Sequence, residues 1–247
     1  MRLYLNLLPY QTEKVFGEIR DVISFIEVKL HLLEYFISFW NGNVEPKRPY
    51  AFIDTEDCHR AFLINANEAK MVSFGFEYIP KTNGFDMASS KNSIASFNYK
   101  GKHGKITARE ISECLAVLSN AEGINKSHYL FEYVDGLDDS ISNESKMLLE
   151  SLFYSEPGYV RYDHDTIGYK ENTHPIDHFD VNYNRMVSYK LGLRHQIKVE
   201  EFISLFAHNN TCPEVLLDSC KYPPILTKKK ISKNKQKRRK NKIKKRK

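Results

Sequence analysis

Residues 161–182, RYDHDTIGYKENTHPIDHFDVN, gather three histidines and four aspartates: His164, His174 and His178 with Asp163, Asp165, Asp177 and Asp180. Imidazoles titrate near neutrality and move protons. Carboxylates orient them, accept protons or hold a cation. Arg161 adds a planar fork that grips phosphate with two parallel hydrogen bonds. On an extended chain, alternate residues share a face. Arg161, Asp163 and Asp165 would then line one side of a strand, with Tyr162 and His164 on the other. His174 precedes Pro175, which biases its backbone to an extended form. His178, Asp180 and Asn182 would share a face of the following strand. If the two strands pair, Arg161 and Asp163 meet His178 and Asp180.

Three uses compete for this cluster. In hydrolysis, His174 and His178 would be an acid–base pair in a hollow open to solvent. Asp163 and Asp180 would orient them, and Arg161 would stabilise developing phosphate charge. In metal binding, His174 and His178 with Asp163 or Asp180 make a mixed nitrogen and oxygen ligand set for a divalent ion. On a straight strand those histidines would stand ~13 Å apart, so the metal reading needs a bend between them. In the third use the Asp and His side chains only satisfy turn backbone. No GxxxxGK[ST], GxSxG or HExxH occurs, which withdraws the phosphate-loop, nucleophile-elbow and zinc-protease readings.

The elements that must position these residues follow from periodicity. Phe16, Ile19, Ile23, Ile26, Leu30, Leu33, Ile37 and Trp40 repeat every three or four positions and predict one long helix over 12–40, stopped by Asn41-Gly42-Asn43. Pro46 and Pro49 predict an open loop. Strands are expected at 72–79 and 94–99, joined by a long hairpin connection. Thr107 with Glu110 predicts a capping box opening a helix through Leu118. A strand at 128–134, a helix at 144–154, strands at 159–162, 179–183 and 186–191, and a closing helix at 198–207 complete the body. That order predicts an α+β fold: a mainly antiparallel sheet with a long N-terminal helix and flanking helices.

The net charge of +6 averages two unlike regions. Residues 228–247 hold 14 Lys or Arg and no acid, which leaves 23 basic residues against 31 acidic ones elsewhere. A body of −8 therefore carries a tail of +14. The reading is a single α+β domain over 1–208, a connector over 209–227 and a disordered basic tail over 228–247. Lys228, Lys229, Lys230, Lys237, Arg238, Arg239, Lys240, Lys244, Lys245 and Arg246 are expected to contact nucleic-acid phosphates. The tail has no aromatic residue, so base stacking is not its method. Four cysteines without CxxC spacing point to free thiols. No apolar run is long enough to span a bilayer, and no signal-peptide pattern opens the chain. A cytoplasmic protein is expected.

The run RYD–HD…HPIDHFDVNYN…YKLGL…VEEFISLF resembles a bacterial family of unknown function. Its signature is an Arg-Tyr-Asp strand, a variable loop, a His-Pro-x-x-His motif and a closing helix with a Phe-Ile pair. Here these are Arg161, Tyr162, Asp163, His174, Pro175, His178, Phe202 and Ile203, and Arg185 or Arg194 stands near that family's further arginine. The likeness covers roughly residues 159–206. It implies a setting among mobile-element and phage-defence genes, and hence a nucleic-acid target. The expectation is a nucleic-acid-directed hydrolase, such as a ribonuclease-like toxin or defence effector. The alternative is a non-catalytic adaptor or neutralising subunit that binds a protein partner.

Overall fold

The computed structural model describes residues 1–40, 42, 45–86, 91–99, 104–120, 141–171, 173–184, 186 and 188–207. The predicted strand at 128–134, the connector and the basic tail lie outside the described residues.

Three short strands are apolar on both faces: β2 (Tyr50–Asp54), β3 (Arg60–Ile64) and β4 (Lys70–Gly75). Strands covered on both sides lose the period-two signature, because neither face is left polar. This is why the sequence pattern missed β2 and β3; it also missed β1 (Arg2–Asn6), whose burial does alternate. These four form an antiparallel meander. β4 then pairs with β8 (Val160–His164), β8 with β9 (Asp177–Val181), and β9 with β10 (Tyr189–Gly192). The result is a seven-stranded antiparallel sheet in the order β1-β2-β3-β4-β8-β9-β10. A second sheet holds β5 (Tyr78–Asp86), β6 (Lys91–Tyr99) and β7 (Lys105–Ile106). The α+β class with a mainly antiparallel sheet is thus observed.

The long N-terminal helix is corrected. The chain makes α1 (Pro9–Val15), a break, and then α2 (Val22–Phe39). Asp21 caps α2 by accepting from the Ser24 amide at 2.8 Å, which fixes a new helix start where the apolar stripe alone ran on. Ile19 stays buried inside the break, so burial preserved the stripe while the backbone left the helix. The predicted strand 72–79 is likewise two strands in two sheets, parted after Gly75. The Gly75 amide donates to the Pro157 carbonyl at 3.1 Å. The expected cap is observed with one half of the box: the Thr107 amide donates to Glu110 at 2.7 Å, while the Thr107 hydroxyl accepts from the Arg109 amide at 3.3 Å, at the start of α3 (Ala108–Asn120). α4 (Asn143–Tyr154) and the short α5 (Val199–Ser204) follow. The expected strand 186–191 begins only at Tyr189.

Each face of the large sheet buries its own core. Leu3, Leu5, Ala51, Ile53, Leu63, Val72 and Phe74 pack with residues of α2, α3 and α4. Tyr50, Phe52, Phe62, Met71, Tyr162 and Phe179 pack with Val199 and Phe202 of α5. Each fully buried large side chain contributes about 1.5–3 kcal/mol. This second, smaller core clamps β8 and β9 from behind.

Lys29 of α2 is 1% exposed. Its ammonium donates to Ser155 Oγ at 2.8 Å and lies 4.8 Å from the Phe25 ring centroid. Burial pushes the amine down to about 8, with Glu77 pulling the other way. Unfolded lysine titrates near 10.4, so between about pH 8 and 10.4 the unfolded chain binds more protons. Stability therefore rises with pH across that window. Below it both states are charged and the fold carries the cost of a buried ion. Lys29→Met is expected to stabilise the protein near pH 7 by on the order of 1–3 kcal/mol. It should also flatten the alkaline rise, as read by urea unfolding across the pH range. A loss of stability near pH 7 would show that Ser155 and Phe25 already compensate the charge.

Candidate metal centre

The β8–β9 register places Arg161 opposite Asp180 and Asp163 opposite His178. All four side chains share the face that holds Val72 and the α2 core, because Val72 stands opposite Arg161 and Lys70 opposite Asp163 across β4. The apolar core thus gives way to an ionic cluster toward β10. This is the pairing that the alternation predicted for the two strands.

Arg161 binds both carboxylates. Its Nε donates to Asp163 Oδ2 at 2.7 Å and its Nη2 to Asp180 Oδ2 at 2.5 Å. Burial alone would lower the guanidinium's pKa, but Asp163, Tyr159 and Asp180 outweigh it and raise the value. Arg161 is expected to stabilise a phosphate; here its fork is spent on holding the two aspartates together.

His178 is 0% exposed. Its Nδ1 lies 2.8 Å from the Pro175 carbonyl, which can only accept, so Nδ1 carries the proton. Nε2 is then a lone pair directed at the cluster. It lies 3.7 Å from Asp163 Oδ2 and 3.9 Å from Asp180 Oδ2. One ligand atom each from Asp163, His178 and Asp180 falls within 4.8 Å of the others. Burial and then the neighbouring Lys190 lower the His178 pKa, which keeps the imidazole neutral as a ligand requires. The open hollow expected around His178 is corrected: its side chain is sealed from solvent, which suits a ligand better than an acid–base group.

Gly192 protects this arrangement. A Cβ there would fall 2.9 Å from Pro175 Cγ, so only glycine lets Pro175 sit against β10 and aim its carbonyl at His178.

His174 reaches the cluster by a different route. The loop before β9 folds on itself, with Lys170 and His174 exchanging backbone hydrogen bonds at 2.9 Å each. The bend brings the two imidazoles together, with ring centroids 4.7 Å apart, in place of the ~13 Å of a straight strand. His174 is partly exposed, and its Nε2 lies 3.1 Å from Asp165 Oδ2. Asp165 Oδ1 also accepts from the Ile167 and Gly168 amides. The Gly168 bond comes first among the causes that hold this carboxyl below its ordinary range. Asp165 lies one residue past the end of β8, where its amide donates to the Ile176 carbonyl at 2.7 Å and its carboxylate is paired with His174. Asn182 also lies past a strand end, at φ +68°.

Sequence reasoning missed one participant. Lys190 of β10 stands opposite Asp180 and donates to Asp180 Oδ1 at 2.6 Å. Only the β9–β10 register could have shown it. On the other face, Asp177 Oδ1 accepts from Tyr162 Oη at 2.6 Å and pairs with His164 Nδ1 at 2.8 Å. His164 and Asp177 are thus held away from the metal-ligand set. The tail residues from Lys228 to Arg246 expected to bind nucleic acid lie outside the described residues.

Compared with protein-family models, curated proteins and solved structures, the chain matches none. The fold and the site define an α+β protein whose antiparallel sheet carries a mixed histidine–aspartate cluster at one end.

Removing Arg161 leaves two diagonally neighbouring carboxylates, Asp163 and Asp180, in a half-buried setting. Arg161→Met is expected to cost about 3–5 kcal/mol in urea unfolding. Adding Asp163→Asn and Asp180→Asn to the same chain should recover more than half. No recovery in the triple variant would mean that Arg161 acts through packing and not through charge.

Proposed function

We propose that the chain is a nucleic-acid-directed hydrolase whose centre is Asp163, His178 and Asp180 around a divalent ion. One observation carries this reading: three ligand atoms of the right types converge within 4.8 Å, and the His178 tautomer turns its lone pair toward them. A histidine whose second nitrogen is fixed by a carbonyl is the usual support for a metal-bound imidazole. A bound divalent ion would polarise a phosphoryl oxygen and lower the pKa of a water. Arg161 holds the two carboxylates in place. His174, partly exposed and oriented by Asp165, is the group that moves a proton between the centre and solvent. The resemblance to the Arg-Tyr-Asp…His-Pro-x-x-His family supports a nucleic-acid substrate and a defence or toxin role. The +14 tail supports tethering by phosphate neutralisation.

The adaptor reading draws on a different observation. Ile167 and Met186, 97% and 90% exposed, are large apolar side chains on the loops at the two ends of the β8–β9 pair. Under the adaptor reading these two loops would meet the protein partner.

Purified protein with labelled RNA and DNA separates the two readings. Cleavage in Mn²⁺ is expected to stop with chelator and to fall at least about 10²-fold in Asp180→Asn and in His178→Ala. His174→Ala should lose about 10²–10⁴-fold, the range for one proton-transferring group. Cleavage that survives all three substitutions removes this site from the mechanism. Intact salt-sensitive binding without cleavage favours the adaptor. Deleting residues 228–247 is expected to flatten the dependence of log affinity on log salt, by about 0.9 for each duplex-DNA phosphate that the tail had neutralised. An unchanged slope would place nucleic-acid binding in the body.

A further inference from the structure

Lys190 lies on β10, at the edge of the seven-stranded sheet. Its Nζ is 2.8 Å from His178 Nε2 and 2.6 Å from Asp180 Oδ1. The His178 Nδ1 proton is already given to the Pro175 carbonyl, so the hydrogen between Nε2 and Nζ belongs to the ammonium. A cation is therefore held between a neutral imidazole nitrogen and a carboxylate oxygen. Those are the donors that a transition ion takes at about 2.0–2.2 Å.

We propose that Lys190 is an internal cation that occupies the ion position of the Asp163–His178–Asp180 centre and is exchanged for the metal on binding. The proposal rests on the metal-centre reading above and adds its regulation.

The two basic residues of the cluster differ in how easily they leave. Arg161 is 20% exposed and grips both aspartates, and its fork is rigid. Lys190 is 31% exposed, on a four-residue strand whose residues are mostly exposed. Its stem is flexible and its ammonium is strongly hydrated in water. Withdrawal breaks two hydrogen bonds but restores that hydration. With Lys190 in place, two cations balance Asp163 and Asp180 while His178 is neutral. Entry of a divalent ion with departure of Lys190 adds one charge to the centre instead of two.

The exchange also sets selectivity. A tethered amine competes at a high effective concentration, so only an ion that binds this donor set well displaces it. The imidazole ligand favours Zn²⁺ over Mg²⁺ or Ca²⁺, and Mn²⁺, the weakest binder of the first-row divalent series, is the more demanding probe of the exchange.

Lys70 supplies the control. It stands opposite Asp163, and its ammonium donates to the Phe16 carbonyl at 3.0 Å. It brings the same charge near the aspartates without sitting on the ligand atoms.

Mn²⁺ titration followed by electron paramagnetic resonance tests the exchange on the full chain, with circular dichroism to confirm folding. Lys190→Gln is expected to bind Mn²⁺ at least about tenfold more tightly than wild type, the equivalent of one step in affinity. Lys70→Gln should tighten binding clearly less. Equal tightening in both variants would reduce Lys190 to a distant charge and overturn the exchange. Binding by wild type that does not tighten in Lys190→Gln would overturn the exchange and leave the metal centre standing. No binding in any of the three proteins would overturn the centre and the exchange together. Wild type alone gives a second readout: acetylation of Lys190 by an N-hydroxysuccinimide ester, followed by peptide mass spectrometry. Mn²⁺ should speed the modification several-fold as the amine is released. An unchanged or slower rate overturns the exchange even if Lys190→Gln does not fold.

Discussion

Two aspartates set diagonally across one antiparallel strand pair must be neutralised, and the sheet depends on how this is done. Asp163 and Asp180 lie on the half-buried face beside the α2 core, where like charges repel strongly. Arg161 satisfies one oxygen of each. Lys190 takes the remaining oxygen of Asp180. The β8–β9 register and the place of β10 are thus tied to charge as well as to backbone pairing.

That demand explains why His178 is buried and neutral. The second core, built on Tyr162, Phe179 and Phe202, closes the back of these strands. The ionic cluster, Pro175 and the His174 ring surround His178 on the other side. A charged imidazole would add a further cation to a site already holding two, and in little water. Burial and Lys190 both favour the neutral form. The same surroundings that keep it neutral make it a ligand. The group left to meet solvent is His174, which the folded loop sets beside it.

Much of this was legible before folding. Alternation in Arg161-Tyr162-Asp163 and in His178-Phe179-Asp180 separates polar from apolar side chains, since successive side chains on a strand point to opposite faces. The Thr107–Glu110 box marked the start of α3 because capping is local. Other features were hidden. β2 and β3 are covered on both faces, so they carry no alternation. The break before α2 was masked because Ile19 remains buried across it. Lys190, eight residues after Asn182, carried no signal of its own.

The sequence by itself determined which side chains share a strand face and that a dense set of titratable groups would lie near the sheet's end, since those properties follow from residue type and a period of two. Tertiary structure alone decided which strands pair, that the loop bends His174 onto His178, that Pro175 sets the His178 tautomer, and that Lys190 reaches the ligand atoms. Each of these depends on the meeting of segments distant along the chain, where register, loop closure and exclusion of water act together and no local pattern records the outcome.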